Sequence, residues 1–215
     1  VSGGSVSYVS RLRENLRLRG VEIREGAPVE AVKRAPGSAI VSAKGCEAES
    51  FDQVIMACHS DDALRLLTDA SVDERTALSN LRYQDNHMVL HRDVDQMPKR
   101  RACWSSWVYK ADLKDDRPEI GVTYWMNRLQ NIPEKDPLFV SLNPVRDVDA
   151  SQIYDEKTFR HPVFDLSALK AQSEIAAIQG QNQTWFAGAY LRHGFHEDGF
   201  ASAVRVARGL NAVTA

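Results

Sequence analysis

Gly188, Gly194, His196, Glu197, Asp198 and Gly199 lie between a short apolar run at 184–187 and the start of a helical pattern. The first turn of a helix carries N–H groups without intrahelical partners and a partial positive charge. Backbone donors at Asp198, Gly199 and Phe200 therefore suit an anion, or a ring that becomes negative on reduction. Gly188 and Gly199 allow another group to approach the backbone closely. The same residues also make an ordinary capped helix, with Glu197 and Asp198 at its positive end and the glycines in turns.

Other spacings point elsewhere. Cys58 and His59 form a conceivable nucleophile and base, but neighbours on an extended chain face opposite ways, which favours a plain strand end. His87 and His91 have the i, i+4 spacing of a helical metal pair, yet Met88 stands where a zinc hydrolase needs glutamate. Read as a strand, both histidines share a face with Val89, and no metal site is expected. Trp104, Trp107, Tyr124 and Trp125 concentrate aromatic surface in one region, as core or as cavity wall. Cys46, Cys58 and Cys103 are odd in number and lack a CxxC pair, so neither a disulfide framework nor a zinc site is implied and a reducing cytoplasm fits.

The elements that position these residues follow from periodicity. Tyr8, Val9, Leu12 and Leu16 share a helical face that Gly20 ends. Val21 and Ile23 alternate as a strand, and runs at 29–34 and 40–43 face each other across Pro36, Gly37 and Ser38 as a hairpin. Residues 54–58 are continuously apolar, as in a strand covered on both faces. Residues 61–67 suit a helix. Strand-like runs follow at 88–91, 103–109, 120–125 and 138–142, then a helix at 167–178, a strand at 184–187 and a helix at 200–210. The 27 basic and 29 acidic residues are interspersed, giving a net charge of -2 and no footprint for nucleic acid or an anionic surface. No apolar run nears the ~20 residues of a membrane helix.

This order of elements resembles that of the flavin-containing amine oxidases and their phytoene desaturase and protoporphyrinogen oxidase relatives. The counterparts are Gly3 and Gly4 at a helix start, 21–23, the hairpin at 29–32, the "DxVIxA" strand at 52–57 and the flavin motif at 186–203. The strings ACHSDDALRLL, TYWMNRLQ, HPVFD and TWFAGAYLRHGFHEDG are similar to a bacterial subgroup of flavin-binding, amine-oxidase-like proteins. The resemblance implies a mixed α/β (α+β) fold. A partial, Rossmann-like FAD-binding domain comes from residues 1–69 and 165–215, with a sheet-rich substrate domain inserted at 70–164.

It further implies an FAD-dependent oxidoreductase in the intact protein, passing a hydride equivalent from a small-molecule substrate to flavin N5. Val29, Gly188, Ala189, Glu197, Asp198, Gly199 and Phe200 would border the cofactor, Val29 through backbone contacts to the adenine. Tyr124 and Trp125 would border the substrate. Many relatives carry an acid where this chain has Ala189, which puts that ribityl contact in doubt. No cysteine lies near the C-terminal motif, so FAD is expected to be noncovalent. No catalytic lysine is assigned, because Lys110 and Lys114 lie in no matching motif. The phosphate-binding GxGxxG is absent and is expected upstream, so that this chain alone holds FAD weakly or not at all. The substrate implied is an amine or, since related proteins occur beside lipid-modifying methyltransferases, a lipid. Alternatives are a lipid desaturase or isomerase and a cofactor-free interaction domain.

Overall fold

The computed structural model describes residues 4–114 and 117–214, so Gly3 lies outside the described residues, as does the side chain of Lys114. In chain order the elements are α1 (Gly4–Leu18), β1 (Val29–Ala35), β2 (Ser38–Ala43), β3 (Glu49–Phe51), β4 (Val54–Met56), α2 (Ser60–Leu66) and α3 (Val72–Ser79). There follow β5 (Tyr83–His91), β6 (Trp107–Lys114), β7 (Arg117–Trp125), α4 (Met126–Gln130), β8 (Phe139–Leu142), β9 (Ile153–Pro162), α5 (Leu166–Ile178), β10 (Thr184–Phe186) and α6 (His196–Thr214). The fold is mixed α+β with open sheets. The chain forms two compact units, one from residues 24–84 and 162–215, the other from 85–161 with the described part of 1–23. Residues 70–84, expected with the sheet domain, pack in the first unit because Ala77, Leu78 and Leu81 belong to its core.

In the first unit β1, β2 and β3 form an antiparallel meander, turned at Gly37 with φ 79°. Beside it β4 and β10 pair in parallel, Val54 to Met56 against Thr184 to Phe186. Val32, Met56, Leu67, Leu78, Ile175 and Phe186 anchor the core, closed by α2, α3 and α5. Asp165 caps α5 by accepting from the Ala168 amide at 2.9 Å, and Ser71 and Glu74 form a reciprocal capping box on α3. Two expectations are corrected here. Residues 21–23 form no strand. The 54–58 run is not covered on both faces: Met56 is buried but Ile55 is 46% exposed, because the pair has only two strands.

An arginine whose side chain is largely buried, invisible to the sequence reading, ties this unit together. All five N–H groups of the Arg34 side chain are used. Nε donates to Asp69 Oδ1 at 2.7 Å, and Nη1 to Glu74 Oε1 and Thr184 Oγ1 at 2.9 and 3.1 Å. Nη2 donates to Glu74 Oε2 and the Asp69 carbonyl at 2.8 and 3.1 Å. One side chain thus joins β1, the α2–α3 link, α3 and β10.

The second unit is built on a five-stranded sheet ordered β6-β7-β8-β5-β9. Strand registers set two rows on one face: Trp107, Tyr124, Val140 and Leu90, then Tyr109, Val122, Leu142 and Met88. Ala111 opposite Ile120 continues that face along the β6–β7 hairpin. The opposite face carries the rows Val108, Thr123, Ser141, Val89 and Trp125, Phe139, His91. Met97 and Trp104 pack on that second face against Trp125 and Phe139. Helix α1, grouped with this unit, buries none of its residues, so the face formed by Tyr8, Val9 and Leu12 stays largely open.

Candidate functional site

Parallel pairing puts the ends of β4 and β10 side by side, and the Ala187 amide extends the register by donating to the Met56 carbonyl at 3.0 Å. Residues 57–59 and 187–190 therefore leave the sheet together, at the carboxyl ends of parallel strands, where open α/β sheets receive ligands. The Gly188 amide donates to Ser202 Oγ at 2.9 Å, which fixes the bend after β10 against the second turn of α6. A Cβ on Gly188 would fall 2.4 Å from the Tyr190 ring, so only glycine fits this bend unless that ring moves.

The start of α6 uses its amides differently from the expectation. The Asp198 and Gly199 amides both donate to the Phe195 carbonyl, at 3.0 and 3.2 Å, and Phe200 lies on the intrahelical ladder. These three amides are therefore used inside the turn, which corrects their assignment as free donors. The leading amides are those of His196 and Glu197. The Asp198 carboxylate, almost fully buried, accepts from the Phe195 amide at 3.0 Å and the His193 amide at 3.3 Å. It acts as a cap and loop brace, while Glu197 and Phe200 are exposed. Gly199 packs against Ala189, its missing Cβ placed 3.6 Å from the Ala189 nitrogen.

Tyr190 is 3% exposed, yet its hydroxyl has no partner among the described residues. Burial pushes its ionisation up strongly, with the Tyr83 and Cys58 charges adding to the effect. An unpaired buried hydroxyl costs about 1–3 kcal/mol unless a ligand or water meets it. Tyr83 stacks on His59 with centroids 4.3 Å apart, and its hydroxyl accepts from the Ser60 amide at 2.9 Å. Burial also pushes the Cys58 thiol up, which counts against a Cys58 nucleophile. His59, Asp61 and Asp62 can bring three ligand atoms within 4.8 Å of one another, but Asp62 already pairs with Arg65 at 3.3 Å.

Residues 1–90 match the family described as flavin containing amine oxidoreductases. That is the family the motifs resemble. Fold similarity extends further along the chain. A wild-type putrescine oxidase bound to putrescine is 14% identical, TM-score 0.62, over 100% of this chain and 54% of that one. A reduced UDP-galactopyranose mutase is 12% identical, TM-score 0.63, over 94% and 50%. A CLA-producing fatty acid isomerase from P. acnes is 15% identical, TM-score 0.56, over 85% and 47%. At these identities the likeness is one of fold. The chain spans about half the length of these solved structures. No curated protein matches it. Among the described residues no helix is long and apolar enough to cross a membrane.

Against the amine oxidoreductase pattern, Val29 begins β1 opposite Ala43, 38% exposed, with a register shift between Val29 and Ala31. Tyr124 and Trp125 lie on opposite faces of their sheet. Tyr124 is half-buried, edge-on to Trp107 at 5.4 Å between centroids. Trp125 is core, with Nε1 donating to Asn127 Oδ1 at 3.1 Å, so its assignment as a cavity residue is corrected by strand alternation. His87 pairs with Glu156 at 2.8 Å on the surface. His91 is fully buried: Nδ1 accepts from the Asp93 amide at 3.1 Å, so the neutral ring carries its proton on Nε2, 2.8 Å from Ser141 Oγ. Ser141 in turn lies 2.8 Å from Thr123 Oγ1. The periodicity could place His91 in a strand but not name Ser141, 50 positions away, or Thr123, which bonds Ser141 across 18 positions.

Proposed function

We propose that the intact protein is an FAD-dependent oxidoreductase that takes a hydride equivalent from a small-molecule substrate, and that the ends of β4 and β10 with the start of α6 form its flavin side. FAD, when bound, supplies the electron sink at N5. The observation that carries the reading is the parallel pair: it brings residues 57–59 and the Gly188 bend to one edge, at the end of the sheet where α/β folds bind cofactors. The residues fit such a group. The Gly188–Ala189 backbone would lie along it, the His196 and Glu197 amides would face its electron-rich edge, and the Tyr190 hydroxyl would gain the partner it lacks. Val29 would contribute backbone contacts at the far end. Asp198 would hold the turn that aims those amides.

Purified intact protein, as isolated or after incubation with FAD, should absorb blue light as bound oxidised flavin does, and the colour should survive gel filtration. A colourless protein that never takes up FAD would end the proposal. A second reading, desaturation or isomerisation of a lipid by the same flavin, is favoured by the apolar rows that β6, β7, β8 and β5 set on one face of their sheet. Anaerobic product analysis separates the two readings, since amine oxidation releases an imine or aldehyde and isomerisation returns the substrate's own mass.

A further inference from the structure

The segment 186–192, which carries the Gly188 bend, is held by three side chains. Gln172 Nε2, on α5, donates to the Tyr190 and Arg192 carbonyls at 2.9 and 2.6 Å. The Gln179 side chain bonds both backbone groups of Phe186, and Ser202 Oγ, on α6, accepts from the Gly188 amide. The same three residues line a cavity of about 230 Å³ between α5 and α6, wholly within the first unit. Its apolar wall is Ala176, Trp185, Leu191 and Val206. Trp185 makes that wall rigid. A Cβ on Gly180 or Gly209 would fall 2.8 or 2.5 Å from its ring, so the chain touches the ring at both positions, and Nε1 donates to Gln53 Oε1 at 2.8 Å.

Arg205 is the one charged residue of the lining, and its guanidinium makes no hydrogen bond or ion pair among the described residues. Three acids lie on α5 and α6, and none of them lines the cavity. Glu174 pairs with Lys170 at 3.3 Å, Asp198 braces the His193 and Phe195 amides, and Glu197 stands in the exposed first turn of α6. Asp52, beside Gln53 in the chain, does not line it either. A cation placed there would meet Arg205 and no carboxylate, whereas a carboxylate would gain charge-assisted hydrogen bonds. An apolar cavity of ~150 Å³ takes benzene, so this one has room for a single ring with a short chain. We infer that the cavity binds a small carboxylate with an aromatic or short alkyl body, its charge on Arg205, and that occupancy regulates flavin retention by stiffening 186–192. The ligand's body fills the space beside Gln172, Gln179 and Ser202, so the closed bend is the state that it favours. The effect on flavin rests on the oxidoreductase reading above; the carboxylate site and the stiffening do not.

The test titrates phenylpropionate into the 215-residue chain by calorimetry, with phenylpropanamide and phenylpropylamine as its uncharged and cationic counterparts. Saturable binding of the carboxylate is expected, about tenfold weaker for the amide and absent for the amine. Arg205→Gln should weaken the carboxylate about tenfold, level with the amide, while Arg75→Gln, an exposed cation of α3 outside the cavity, should change nothing. Both positions are exposed, and circular dichroism of each variant confirms folding. Hydrogen exchange at 186–192 should slow about fivefold or more once phenylpropionate is well above its dissociation constant. In the intact protein the probe should lower the FAD dissociation constant about fivefold, and FAD should tighten the probe by the same factor. The inference is overturned by absence of saturable binding, by an amide or amine that binds as tightly as the carboxylate, by equal affinity in Arg205→Gln, or by unchanged exchange at 186–192. It is also overturned if the intact protein, unlike this chain, does not bind the probe, since another segment would then fill the cavity. Equal FAD retention with and without the probe, in an intact protein that binds both, overturns the regulatory role. Failure of the flavin reading appears on a separate signal, the colour of the intact protein without the probe, and leaves the carboxylate site in place.

Discussion

Removing the Arg34 guanidinium tests what holds the first unit together. Arg34→Met keeps most of the stem volume but withdraws five donors at once. It leaves Glu74, whose side chain is 3% exposed, with only the Ser71 amide at 2.7 Å. Breaking a buried pair by deleting one partner costs about 3–5 kcal/mol, because the surviving charge stays desolvated. At ~2–4 °C per kcal/mol for a chain of this size, the midpoint of thermal unfolding should fall by roughly 6–20 °C. Urea unfolding followed by circular dichroism measures the loss directly. The double variant Arg34→Met with Glu74→Gln removes the stranded charge, and should be more stable than the sum of the two single losses by more than about 1 kcal/mol. Burial alone would raise the Glu74 pKa, yet the Arg34 and Ser71 hydrogen bonds hold it below the ordinary carboxylate value. Its contribution is therefore complete above that ordinary value and is lost as pH falls through the depressed one, and Arg34→Met should flatten this acid limb. A loss below about 1 kcal/mol in Arg34→Met, or strict additivity in the double variant, would refute the account of Arg34 as a charge-satisfying clamp.

Burial lowers the His91 pKa, the nearby Lys110 charge adding to it against an opposing pull from Asp93. Its stability contribution is present above the ordinary histidine value of 6.5 and declines as pH falls below it, so His91→Gln should show a shallower stability slope between about pH 6.5 and 5 in urea titrations. Tyr190→Phe deletes an unpaired buried hydroxyl, so the chain without FAD should be unchanged or slightly more stable by calorimetry, while the intact protein should release FAD more readily on dilution. Asp198→Ala removes the brace on the His193 and Phe195 amides and should cost about 1–2 kcal/mol, with faster hydrogen exchange confined to 193–199.

What the sequence exposed and what it hid divide along physical lines. The hairpin at 29–43 and the helix at 166–178 depend on local turn chemistry and on a 3.6-residue repeat, and both stand where the residues put them. The strand Ile153–Pro162 was missed because nearly every position is exposed and so no alternation marks it. Residues 21–23 alternate yet find no neighbouring strand, and alternation without a partner makes no sheet. The candidate site shows the same split. Gly188 and the start of α6 were marked by glycine spacing and the acidic first turn. That the Asp198 and Gly199 amides are consumed by Phe195, and that Tyr190 lacks a partner, are tertiary facts with no local signature.

The Arg34 clamp and the candidate cofactor edge are mechanically one problem. Strands β4 and β10 are each three residues long, and two such strands are not stable alone. Their alignment must come from elsewhere. Thr184, the first residue of β10, receives Arg34 Nη1, and Phe186, its last, is held at both backbone groups by the Gln179 side chain at 2.8 and 2.9 Å. These bonds fix the strand before it delivers Gly188. If the edge at 187–190 binds flavin as proposed, loosening Arg34 should raise the FAD dissociation constant although its side-chain hydrogen bonds go to Asp69, Glu74 and Thr184 and not to 187–190, and FAD should in turn stabilise Arg34→Met more than the parent. Equal stabilisation of the two by FAD would mean that the clamp and the edge are independent.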